Sequence, residues 1–135
     1  MQRTHHGQNL ICLAFLATML AAPAKGDETE HKLYLRYCSA CHGENGKGDG
    51  AVSGLMNPKP ADLTQLAKKA GGKFPFNDVM RTIDGRQTLR AHGDPDMPVW
   101  GEIFRSEAAT SDYAEVGARG KIAMITKYLE SIQAK

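Results

Sequence analysis

Apolar side chains recur at three- and four-residue intervals through much of this chain, and nowhere do they alternate over a run long enough for a strand. Leu33, Tyr34 and Tyr37 predict a short amphipathic helix over 29–37. The stretch 43–60 carries Gly43, Gly46, Gly48, Gly50, Gly54, Pro58 and Pro60, too many breakers for a regular element, and reads as loop. Asp62 is placed to cap a helix bearing Leu63, Leu66, Ala67 and Ala70, with Gly71 and Gly72 as its stop. A third helix fits 77–84, with Val79, Met80 and Ile83 on one face and Gly85 ending it. After an irregular segment over 85–98, Val99, Trp100, Ile103 and Phe104 predict one or two helical turns. Ile122, Ile125, Leu129 and Ile132, with Tyr128 beside them, mark the last and clearest helix. The expected fold class is all-α, with two long loops.

The N-terminus has a different character. Arg3 precedes an apolar run over 10–20, and Ala22-Pro23-Ala24 follows as a small-residue site. That order predicts a secretory signal peptide over 1–24, removed to leave a single domain over 25–135. The run is too short for an ordinary bilayer span, so no transmembrane anchor is expected in the mature chain. Cys12 lies inside the run and would leave with it, so only Cys38 and Cys41 remain of the three cysteines. Export makes the periplasm the expected location. It also removes any disulfide framework, because two cysteines three apart cannot staple a domain.

At 135 residues the chain has room for one core, and the loops leave that core thin. A large apolar cofactor would complete it. Lys and Arg number 17 against 15 Asp and Glu, which gives no basic footprint for nucleic acid. Lys68, Lys69 and Lys73 read as a solvated helix face.

Cys38-Ser39-Ala40-Cys41-His42 carries the chemistry. Residues three apart on a helical turn share a face, so two thiols can reach the two vinyl groups on one porphyrin edge and form thioethers. The adjoining imidazole then lies beneath the ring, where a neutral nitrogen can bind iron. A redox dithiol uses the same gap but belongs after a strand, and none is predicted. A zinc site needs further paired ligands that His31 and His92 do not supply. The reading is therefore haem c, one group, held by Cys38, Cys41 and His42.

A closed electron carrier needs a second axial ligand. Met80 and Met124 fall in helical stripes, where methionine packs. Met56 follows His42 too closely to reach the opposite face. Met97, between Asp96 and Pro98 in a loop far downstream, is the expected ligand, and His92 is the alternative. A thioether favours ferrous iron and raises the potential relative to two imidazoles.

With these residues in view, the chain resembles the class I (monohaem) cytochromes c, over most of its mature length. Cys38-Ser39-Ala40-Cys41-His42-Gly43 is similar to their attachment segment, and Met97-Pro98-Val99-Trp100-Gly101 to the methionine loop of a bacterial periplasmic branch. The resemblance implies about four to five short helices wrapped around one covalently bound haem. Tyr128-Leu129 would pack on the first helix against Tyr34. A proline carbonyl, from Pro58 or Pro60, would accept a hydrogen bond from the second nitrogen of His42. Leu63 and Trp100 would cover the haem, and Arg86, Arg90 and His92 would meet its propionates. One departure stands out: the small residue usual four positions before the first-helix aromatic is Glu30 here. The implied function is one-electron transfer between redox protein partners, without substrate turnover. Alternatives are a subunit passing electrons from a periplasmic dehydrogenase or oxidase, and an open-iron haem protein that binds gas.

Overall fold

The computed structural model describes residues 26–86, 97–108 and 112–134. The predicted signal segment, with Cys12, and the residues Arg90 and His92 lie outside them. Tyr34 and Tyr37 sit on the first helix, α1 (Gly26–Tyr37), which runs into the one-turn helix α2 (Ser39–His42). The motif thus rides on the end of a helix, as its spacing requires. The glycine-rich stretch that follows is irregular apart from a 3-10 turn at Ser53–Leu55. Asp62 then caps the next element as expected, its carboxylate accepting from the Thr64 amide at 2.9 Å and the Thr64 hydroxyl at 2.6 Å. That element begins as a 3-10 turn, Leu63–Gln65, and continues as α3 (Leu66–Lys69).

Next come α4 (Phe76–Asp84), α5 (Trp100–Glu107) and α6 (Ala114–Ser131). Gly85 ends α4 with φ of 70°, a left-handed conformation that costs glycine nothing. There is no strand among the described residues, and the six helices confirm the all-α class. The sequence counted about four to five because the motif's own turn, α2, has too few residues for periodicity to register.

Helix α6 is the spine against which α1, α4 and α5 pack. Its Ala118, Ile122, Ile125 and Leu129 are buried, with Tyr34 of α1, Val79 and Ile83 of α4 and Phe104 of α5. Thr126 is fully buried too, and its hydroxyl donates to the Ile122 carbonyl at 2.8 Å, so the polar atom costs little. The crossing of α1 and α6 uses rings. Tyr128 lies between His31 and Tyr34, with centroids 4.8 Å away on each side. Glu30, in place of the small residue, is buried and sends its carboxylate toward Lys127 of α6 at 3.6 Å. The crossing is bridged by side chains, which answers the departure seen in the sequence.

A second tie binds α4 to α6. The Arg86 guanidinium meets Asp84 through Nε at 2.6 Å and Nη2 at 2.9 Å, and Glu115 through Nη1 at 2.7 Å and Nη2 at 2.9 Å. Hydrogen bonds from Arg86 hold both carboxyls below the usual range, Glu115 at about 2. A group whose folded pKa is depressed stabilises the fold above its unfolded value, and that contribution fades as pH falls through the folded value. For Glu115 the window runs from about pH 4.5 down to about 2. We expect Glu115→Gln to flatten the acid limb: its melting temperature should fall less than that of the parent across this window. The difference should shrink with added salt, because the Glu115 side chain is 46 % exposed. Parallel limbs at low salt would remove Glu115 from the acid response.

Candidate functional site

Cys38, Cys41 and His42 occupy one helical turn, closed by hydrogen bonds from the Cys41 and His42 amides to the Cys38 carbonyl at 3.3 and 2.9 Å. The glycine loop folds back over that turn. Gly48, Gly50 and Val52 donate their amides to the carbonyls of His42, Cys41 and Ala40 at 2.8, 3.2 and 3.1 Å. A Cβ on Gly50 would run into the Ala40 and Cys41 backbone, so glycine is needed for this close return.

Both thiols are free, Cys38 buried and Cys41 half-buried. Burial, with the neighbouring Cys41, pushes the Cys38 thiol up to about 12. Redox dithiols work through a depressed thiolate, and burial acts on Cys38 in the opposite direction. No cluster of three or more His, Cys, Asp or Glu suited to a metal ion occurs among the described residues.

His42 Nδ1 lies 3.0 Å from the Ala61 carbonyl. A carbonyl only accepts, so Nδ1 carries a proton, and in the neutral imidazole Nε2 then keeps its lone pair. The acceptor is neither Pro58 nor Pro60, the two residues expected from the sequence. The reason is register: the Leu63 amide bonds the Gly46 carbonyl at 2.7 Å, and Gly48 packs against the Pro60 carbonyl. Together these turn the following carbonyl, that of Ala61, toward the ring.

Tyr34 secures the same loop from below. Its hydroxyl, fully buried, donates to the Gly43 carbonyl at 2.6 Å. Burial holds the phenol well above the usual tyrosine range, so it remains a donor. The sequence assigned Tyr34 to packing alone, and a bond to a carbonyl nine residues on has no local signature. The same is true of Gln133, which joins the C-terminus to the Leu63 carbonyl at 2.9 Å and the Ala67 amide at 2.8 Å.

Met97 is half-buried and packs against the core, as do Trp100 and Ile103. Trp100 stacks on Phe104 with centroids 5.5 Å apart and meets the edge of Tyr37 at 5.4 Å. Tyr37 immediately precedes Cys38, so the methionine segment and the motif share one aromatic cluster. Met80 also touches the core but lines a cleft between α4 and α6 with Arg81, Asp84 and Arg119, a charged setting. Arg86, expected to meet a propionate, is committed to Asp84 and Glu115. Its charge is already matched inside the protein.

A family model described as Cytochrome c matches residues 31–132. The chain belongs to the cytochrome c family. Neither the curated proteins nor the solved structures give a match. A cytochrome c is a haem c electron-transfer protein, its haem covalently bound and its metal iron. The residues of this cytochrome c fit that group: two free thiols on one helical turn, an imidazole with a free nitrogen, and half-buried Leu63, Phe74, Met97 and Trp100 around the core. No helix among the described residues is long and apolar enough to cross a membrane.

Tyr34→Phe keeps the ring and removes the bond to Gly43. Because Gly43 still receives the Gly46 amide at 3.2 Å, we expect a loss of about 1 kcal/mol in denaturant unfolding of the holoprotein. An unchanged midpoint and slope would mean that the hydroxyl adds nothing to the loop.

Proposed function

We propose that this cytochrome c is an exported, single-haem electron carrier of the class I type, working in the periplasm between redox protein partners. Cys38 and Cys41 carry the thioethers, His42 binds iron through Nε2, and Met97 supplies the second axial ligand. The observation that carries the reading is the His42–Ala61 hydrogen bond, which orients an imidazole on the same turn as both thiols. When bound, the haem supplies a one-electron ferric–ferrous couple.

Each residue has a separable task. Cys38 and Cys41 fix the macrocycle to the end of α1. Ala61 keeps the proton of His42 on Nδ1 and raises the basicity of Nε2. Trp100 and Leu63, half-buried at the core, exclude water from the ring, which limits reorganisation on electron transfer. Met97 enters with α5, and its soft sulfur favours the reduced state. Segment 1–24 directs export, which places attachment outside the cytoplasm.

The optical spectrum of the exported protein tests the assignment. Met97→Ala is expected to keep covalent haem, lose the ferric sulfur-to-iron charge-transfer band, bind carbon monoxide when reduced, and drop in potential by on the order of 0.1 V. Cys38→Ser should lower the haem retained on a denaturing gel. A charge-transfer band that survives in Met97→Ala would reject Met97. A folded, colourless parent from a host with a working maturation system would reject the haem attachment.

A further inference from the structure

We propose that the Asp84–Arg86–Glu115 network is the clamp that sets the position of Met97, making Arg86 a positioning residue for the sulfur side of the iron. The proposal rests on Met97 being the second axial ligand. Arg86 follows Gly85, whose left-handed turn sends the chain back across the end of α4. The planar guanidinium then presents one edge to Asp84 and the other to Glu115 in the first turn of α6. Two carboxylates gripped by one rigid fork define the relative placement of their helices more narrowly than a single ion pair does. The Arg86 side chain is only 23 % exposed, so water competes weakly for it.

The methionine segment docks directly on this network. Gly101, buried in the first turn of α5, faces it so closely that a Cβ would collide with Asp84 Oδ1 and lie 2.7 Å from Arg86 Nε. A Cβ on Gly85 would lie 3.2 Å from the Cα of Val99. The span 99–101 therefore rests at one end on Asp84 and Arg86 and at the other on Gly85, the residue that joins them. Between Met97 and Gly101 stand Pro98, whose φ is fixed, Val99, and Trp100, whose ring is stacked on Phe104. Little slack remains in that arm. The thioether cannot swing far without separating α5 from the charged fork.

A purely stabilising role would not demand this arrangement. α4 and α6 already share the buried cluster of Val79, Ile83 and Ile122, and the network's one strict steric requirement falls on Gly101 of α5. The glycine of the Met97-Pro98-Val99-Trp100-Gly101 stretch thereby acquires a physical reason: it admits the clamp.

The test uses the holoprotein, with the ferric sulfur-to-iron band and the helical circular dichroism followed together on heating. In Arg86→Gln and in Gly101→Ala the band is expected to be lost outright, or to fade below the temperature at which the helices melt, with haem still attached and carbon monoxide binding to the reduced form. Leu129→Ala, which opens the core and leaves the clamp intact, should lower the melting temperature while keeping the band until the helices go. Glu115→Gln, a milder lesion, should shift the fading of the band in the direction of Arg86→Gln if that variant fails to fold. Band and helices melting together in every clamp variant, as in Leu129→Ala, would overturn the proposal. Met97→Ala run alongside separates the two claims. A band that survives there overturns the ligand assignment, whereas a band lost there and undisturbed in Arg86→Gln overturns the clamp alone.

Discussion

A hydrogen bond at one nitrogen of an imidazole fixes the ring's orientation and tautomer, and much of the N-terminal half of this chain is arranged so that Ala61 makes that bond to His42. The carbonyl of Ala61 is in place because the Leu63 amide bonds Gly46. Gly46 is in place because its turn is closed on Gly43, whose carbonyl also receives the buried Tyr34 hydroxyl. Tyr34 in turn is wedged against Tyr128 of α6. A continuous set of contacts thus runs from the crossing of α1 and α6, through the loop, to the proton on His42. The packing of the spine and the setting of the His42 imidazole are parts of one structure.

The opposite side follows a different logic. Among the described residues, backbone hydrogen bonds gather around His42, where the glycine loop returns over the motif's turn. Close to Met97 in sequence, Trp100 meets Phe104 and Tyr37, and charged groups are paired at the ends of α4 and α6. For the ligand role proposed for Met97, a soft and adaptable thioether suits support by side-chain packing. Hydrogen bonds among backbone groups are indifferent to acid, while a network of carboxylates is not.

Single positions carry these arrangements out of proportion to their size. Gly50 lets the loop return over the motif's own turn, and Gly101 lets α5 settle on Asp84 and Arg86. Glu30, at first sight a disruption of the helix crossing, reaches Lys127 while His31, Tyr128 and Tyr34 bear the contact. The interior of this cytochrome c is small, and much of its apolar fringe is half-buried, as suits a protein that completes its core with a cofactor.

Features that depend on neighbours in the chain were legible without coordinates. The helix over 29–37, the cap at Asp62, the stop at Gly85 and the stripe of Ile122, Ile125 and Leu129 all follow from spacings of a few residues, and so does the thiol and imidazole turn at Cys38 to His42. Whatever depends on residues distant in sequence was not. Which carbonyl meets His42 turned on a loop register that no spacing encodes, and Ala61 took the place expected of Pro58 or Pro60. Arg86, free to meet a propionate as far as its sequence neighbours indicate, is bound by Glu115 twenty-nine residues on. Local propensity and periodicity act over a turn or two of helix, whereas partner choice is made only when helices pack and bring remote carboxylates and carbonyls within hydrogen-bonding reach.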